Sequence, residues 1–152
     1  MSRGLVDKKW DARAMALALQ ARSWVKGPDL GVGACVISPD FRRFSLGYSG
    51  LPRGLNDTTD RITLPEYKDY HMVHAELNAI LNAQCSLAGW TIYATTCPCS
   101  HCASAIIQAG ISRVVSPEPL RGNRWYRHHL EGRDALREAG LTVDTIDLDG
   151  LE

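Results

Sequence analysis

The chain has no charge of one sign to spare: 17 Lys and Arg are matched by 17 Asp and Glu. That balance excludes a protein that holds DNA or RNA through its overall field, although a local basic patch would escape the count. No apolar run is long enough to cross a bilayer, and residues 1–9 contain no hydrophobic core of signal-peptide length, so the expectation is a cytoplasmic protein with no membrane partner. The five cysteines are an odd number, which fits a reducing compartment better than a disulfide framework. Internal repeats, linkers and low-complexity tracts are absent, and 152 residues is the size of one domain with a real core, so residues 1–152 are read as a single domain.

What is present concentrates in two short stretches, His74-Ala75-Glu76 and Pro98-Cys99-Ser100-His101-Cys102. One imidazole and two thiolates, from His74, Cys99 and Cys102, form a donor set suited to zinc, which prefers tetrahedral nitrogen and sulfur coordination. Three protein donors leave a position open, as in catalytic zinc sites, where the ion lowers the pKa of water towards neutrality. Glu76 lies two residues past the histidine and could accept a proton from that water without binding the metal. The three-residue spacing of Cys99 and Cys102 puts both sulfurs on one face of a helix start, for which Pro98 is a suitable entry residue. Helix N-termini at both stretches would lower the cost of two thiolates. The competing reading is a structural four-ligand site in a non-catalytic binding module, with His71, His101, Cys85 or Cys97 as fourth donor. Glu76 would then have no role.

The rest of the chain reads as scaffold. Trp10, Ala14, Leu17, Ala21 and Trp24 recur at helical spacing, predicting a first helix over residues 8–25 stopped by Gly27-Pro28. Gly31 to Ile37 reads as a buried strand, and Phe41 to Tyr48 as its hairpin partner across Ser38-Pro39-Asp40. Gly33 and Ala34 are small enough to let a ligand approach the backbone, and plain strand packing explains them equally well. A Gly-, Pro- and Asn-rich loop is expected from Gly47 to about Tyr70. Further on come a helix from His74 to about Gln84, a strand Trp90 to Thr95, a helix Ser100 to Ala109 and a strand Ile111 to Val115. The last elements are a helix Leu130 to Ala139 and a strand Leu141 to Ile146. Arg53 has the charge and fork geometry of a phosphate ligand. Between Ser116 and His129 a basic, aromatic loop offers Arg121, Arg124 and Arg127 for a phosphate, and Trp125 or Tyr126 for packing near a base; a solvated basic face is the alternative.

The pattern His74-x-Glu76 followed by Pro98-Cys99-x-x-Cys102 matches the general zinc deaminase signature. Together with Gly47-Tyr48-Ser49-Gly50-Leu51-Pro52 and Ala103 to Ile111, it resembles the deoxycytidylate deaminases of the cytidine deaminase superfamily, over about Val32 to Val115. The resemblance implies an α/β fold of three layers, a mixed sheet of about five strands with helices on both faces. It implies zinc-dependent conversion of dCMP to dUMP with release of ammonia; dCTP, a modified deoxycytidylate, a cytosine nucleoside or a base are the alternative substrates of the same chemistry. It further implies backbone contacts from Ala75 and Pro98 to the pyrimidine edge, and a nucleotide pocket lined by Tyr48 and Ser49. Relatives form dimers or hexamers and several bind dCTP or dTTP as effector, so a homo-oligomer is expected, with Mg2+ accompanying any nucleotide effector. Ser49 stands where that family usually has Asn, and a hydroxyl offers one donor where an amide offers two.

Overall fold

The computed structural model describes residues 5–151. Residues 1–4 and 152, which the single-domain expectation and the reading of residues 1–9 include, lie outside the described residues. The elements in chain order are α1 (Leu5–Arg22), β1 (Gly33–Ile37), β2 (Phe44–Tyr48), α2 (Thr59–Thr63), α3 (Pro65–His71), α4 (Ala75–Ala83), β3 (Thr91–Ala94), α5 (Ser100–Gln108), β4 (Arg113–Ser116), α6 (Tyr126–Glu138) and β5 (Thr142–Thr145). The sheet order is β2-β1-β3-β4-β5. β1 runs antiparallel to both β2 and β3, while β3, β4 and β5 are parallel to one another. The mixed five-stranded sheet of the sequence reading is therefore present, with α5 and α6 as the crossovers that parallel neighbours require.

The period-two alternation of strand side chains divides the core into two layers. Ala34, Val36, Ile92 and Val114 face Ala75 and Ala79 of α4, Ala103 and Ile106 of α5 and Leu136 of α6. Cys35, Ile37, Tyr93 and Val115 face Ala14, Met15 and Ala18 of α1 on the other side. With both faces covered, every residue of β1 is buried, which is why its sequence is a continuous run of apolar and small residues.

Two glycines let the helices approach the sheet closely. A Cβ on Gly33 would fall 1.9 Å from the Ala18 carbonyl oxygen of α1, and one on Gly47 would fall 2.2 Å from the Ala75 carbonyl oxygen of α4. The small size at Gly33 is thus used by helix packing, and Ala34 has no exposed surface. Of the two explanations left open for this pair, packing has a structural basis. On the outer side, Asn78 and Asn82 of α4 donate to the carbonyls of Tyr48 and Leu46 at 2.8 and 2.9 Å, occupying acceptors that the edge strand β2 would otherwise leave bare.

Several boundaries differ from expectation. The first helix ends at Arg22, because the chain tightens into short-range bonds from Trp24 N–H to Ala21 and from Val25 N–H to Arg22. Trp24 consequently leaves the apolar stripe; it is 49% exposed and meets Tyr48 edge-on at 5.9 Å. Phe41 is not in a strand: it sits at φ 60° in the turn and stacks on Trp10 at 5.0 Å. The loop expected up to Tyr70 contains α2 and α3, neither of which has a buried residue, so no apolar periodicity marked them. α6 starts at Tyr126, four residues before the expected Leu130. Asn123 arranges this start, its side-chain oxygen accepting from the Trp125 N–H at 2.8 Å. No helix among the described residues is long and apolar enough to cross a membrane.

Candidate active site

His74 and Cys99 occupy equivalent places. Each is the extended residue immediately before a nine-residue helix, His74 at φ −68°, ψ 153° before α4 and Cys99 at φ −72°, ψ 170° before α5. Both side chains therefore stand at a helix N-terminus, where unpaired N–H groups and the helix dipole favour negative charge. Cys102 lies in the first turn of α5, on the face that Cys99 enters, as its spacing required.

His74 Nδ1 is 3.5 Å from the Cys99 sulfur and 3.4 Å from the Cys102 sulfur. Zinc bonds of about 2.0 Å to nitrogen and about 2.3 Å to sulfur, at the tetrahedral angle, separate such donors by about 3.5 Å. The donor set and its spacing therefore fit zinc. Among the described residues this is the one group of three or more His, Cys, Asp or Glu donors that lie mutually within 4.8 Å. None of the four alternative fourth donors joins it. His71 packs on Tyr67 and His101 stacks on His128, Cys85 is exposed, and the Cys97 thiol donates to the His129 carbonyl.

Glu76 is 4% exposed, and its carboxylate accepts from the Cys102 thiol at 3.5 Å. Burial raises its pKa above the usual carboxylate range, because a dry environment disfavours the charged form. The Cys99 thiol is held below its ordinary range, first by its hydrogen bond with Cys102 and then by that with His74, while the Cys102 thiol is raised by the same bond to Cys99 and by burial. His74 is raised, first by its hydrogen bond with Cys99. These shifts describe a cluster in which one carboxylate, one imidazole and two sulfurs compete for few protons.

The remaining expected site residues divide into groups. Ala75 and Pro98 are fully buried beside the donors. Trp125 touches the site directly, its indole meeting the His74 ring edge-on at 5.7 Å and 86°. Ser49 is buried, and its oxygen accepts from the Val32 N–H at 3.0 Å, so it braces the entrance to β1. The ring of Tyr48 lies outside against Trp24, and Tyr126 is half-buried at the start of α6. Arg53, Arg121 and Arg127 are exposed; Arg124 pairs with Asp69 of α3 and lies over the Trp125 ring at 5.1 Å.

A cleft of about 570 Å³ opens beside Thr95, Thr96 and Cys97, the residues leading to Pro98 and Cys99. Its walls include Arg22, Glu118, Asn123 and His129; none of His74, Glu76, Cys99 and Cys102 lines it, nor does Arg53, Arg121, Arg124 or Arg127. Arg22 and His129 were not singled out from the sequence. Arg22 reads there as one more charge at a helix end, and His129 falls at the end of a segment read as a loop, whereas it lies buried in α6.

A mixed sheet with a three-donor zinc site at two helix N-termini and a buried glutamate at its side defines the layout of a metal-dependent hydrolase. Comparison with known proteins narrows this. Residues 8–117 match the family described as the cytidine and deoxycytidylate deaminase zinc-binding region. The chain belongs to that family. It is 39% identical to an uncharacterized deaminase of Aliivibrio fischeri over 146 residues, covering 95% of this chain and 98% of that protein. It is 38% identical to a probable deoxycytidylate deaminase of Drosophila melanogaster and 34% identical to the human deoxycytidylate deaminase, in each case over 70% of this chain. The chain spans 58% and 64% of the length of those two relatives. The fold is similar to that of the dCMP deaminase from cyanophage S-TIM5, with a TM-score of 0.71, 22% identity and coverage of 91% and 98% of the two chains.

Proposed function

We propose that this chain catalyses the hydrolytic deamination of dCMP to dUMP, releasing ammonia. The observation that carries the reading is the meeting of Glu76 with the His74, Cys99 and Cys102 donor set in one buried cluster. Support for the substrate comes from relatives named as deoxycytidylate deaminases and from the similar cyanophage fold, solved also with dCMP and dUMP.

Zinc, held by His74, Cys99 and Cys102, supplies Lewis acidity and lowers the pKa of water towards neutrality. Glu76 takes one proton of the attacking water and gives it to N3 of the pyrimidine; it then takes the second, from the hydroxyl now on C4, and passes it to the amine, which leaves as ammonia as the C4–N bond breaks and the C4 carbonyl forms. Its burial suits this shuttle, since a carboxylate raised above its usual range takes a proton from water more readily than a solvated one does. The buried backbone at Ala75 and Pro98 frames the pyrimidine edge, and Trp125 walls the site beside His74. The same reading includes a single domain, a homo-oligomer, and a dCTP or dTTP effector with Mg2+.

A second reading, the same chemistry on an unphosphorylated cytosine nucleoside, is favoured by Arg124, whose guanidinium is paired with Asp69 and so already holds an anionic partner. Ultraviolet absorbance with cytosine, deoxycytidine, CMP, dCMP and dCTP decides between them. The first reading expects dCMP to react fastest; equal or faster reaction of deoxycytidine overturns it in favour of the second.

A further inference from the structure

Two further side chains lie against the Trp125 indole. The Arg124 guanidinium lies over the ring at 5.1 Å and is ion-paired with Asp69 of α3. The His128 imidazole is 5.3 Å from the indole and its Nδ1 is 2.9 Å from the Ser100 hydroxyl. Ser100 is the first residue of α5, between the two cysteine donors. The indole's edge contact is with the His74 ring, whose Nδ1 faces both sulfurs.

The segment that carries Asp69 has its own closure. Residues 51–72 leave and return through the paired residues Gly50 and Val73, whose N–H and C=O groups exchange bonds of 3.1 and 2.8 Å. Val73 immediately precedes His74. Asp69 and His74 are therefore the two ends of a short, partly helical return, and Arg124 and Trp125 bridge them from the opposite loop.

Resting on the deaminase reading above, we propose that Asp69, Arg124 and His128 are positioning residues that hold Trp125 against His74, fixing the imidazole for the metal. In this role Arg124 does not bind the substrate phosphate. One arm of its fork is paired with a carboxylate and its flat face lies over an indole, two kinds of partner that suit a guanidinium. A phosphate at that arm would compete with Asp69. Side chains around a metal ligand commonly set its ring orientation and the hold on the ion.

The test compares R124Q, D69N and R124K with the parent protein, all loaded with zinc. It measures the rate of zinc transfer to a chelator and kcat and KM for dCMP and deoxycytidine. An exposed ion pair and a cation–π contact are individually weak, so the expected effects are about two- to tenfold. R124Q and D69N should each speed zinc transfer and lower kcat for both compounds by the same factor. R124K, which keeps a cation over the ring, should restore most of the loss. A rise in KM for dCMP alone in R124Q, with zinc transfer unchanged and D69N silent, overturns the proposal and makes Arg124 a phosphate ligand. Parent-like behaviour of all three variants overturns it as well. If the parent deaminates neither compound, the deaminase reading fails, and the zinc-transfer rates still decide the positioning role.

Discussion

Replacing Gly47 with alanine tests whether the closeness of α4 to β2 sets the geometry of the zinc donors. The added Cβ would fall 2.2 Å from the Ala75 carbonyl oxygen and 2.3 Å from the Ala79 nitrogen, backbone atoms that cannot rotate aside. Ordinary contact begins near 3.4 Å, so α4 must recede by roughly an ångström or more. That movement strains the bonds holding the helix to the strand, from Ser45 to the Ala79 carbonyl at 2.6 Å and from Asn78 and Asn82 to the strand at 2.8 and 2.9 Å. Overpacking and weakened bonds together cost about 2–4 kcal/mol, a fall in Tm of roughly 5–15 °C for a chain of this size. Ala75 lies between His74 and Glu76, so the displacement reaches the cluster itself, where a misplacement of about an ångström costs on the order of a hundredfold in rate. Gly33→Ala is the matched control: its Cβ would meet Ala18 and Arg22 of α1, a helix that carries no metal donor. It should lose similar stability while turnover per zinc-loaded molecule stays within about threefold. Thermal unfolding, zinc content and kcat read both variants. Unchanged zinc affinity and turnover in Gly47→Ala would refute the reasoning, and a hundredfold loss in Gly33→Ala would mean that Gly33 meets the substrate after all.

Glu76→Gln should keep its zinc and lose turnover by about 10²- to 10⁴-fold, the contribution typical of a proton-transfer group; near-parent turnover in the ultraviolet assay contradicts the role assigned to it. Arg113 is 14% exposed at its side chain and binds Asp11 through two bonds of 2.7 and 2.8 Å and Asp144 at 2.7 Å. Arg113→Met leaves Asp11 without that partner and should cost about 3 kcal/mol in urea unfolding; a loss below about 1 kcal/mol would show that solvent screens the cluster. Burial pushes the thiols of Cys35 and Cys97 up to about 12 and about 11, so at pH 8 less than about one molecule in a thousand carries either thiolate. Zinc-loaded protein should therefore show one fast thiol towards a disulfide reagent, the exposed Cys85, and chelation should add two, Cys99 and Cys102. Fast reaction of two or more thiols before chelation would contradict this.

The zinc donors and most of the sheet were legible in the sequence because each rests on a local signal. His74, Cys99 and Cys102 are recognisable by residue type and spacing, and β1 by a continuous apolar run that two-sided burial demands. α2 and α3 left no such signal, since a helix that buries nothing has no apolar period. The arginines show a different limit. Arg124 reads as a phosphate ligand in a basic loop, yet its carboxylate partner is 55 residues away in α3. Arg113 sits within an apolar strand and is explained by Asp11, 102 residues distant. Small residues are ambiguous for the same reason: the sequence at Gly33 allows either a ligand or a helix to come close, and the helix that does so comes from elsewhere in the chain.

The central claim is that one zinc ion held by His74, Cys99 and Cys102 is required for the reaction, and a metal titration tests it most directly. Turnover of dCMP is followed in protein as purified, after exhaustive chelation, and during stepwise return of zinc, with Cys99→Ser carried in parallel. The account predicts that activity vanishes with the metal, returns in proportion up to one equivalent per chain, and does not return in Cys99→Ser. Full turnover by metal-free protein, or full recovery in the variant, would contradict it.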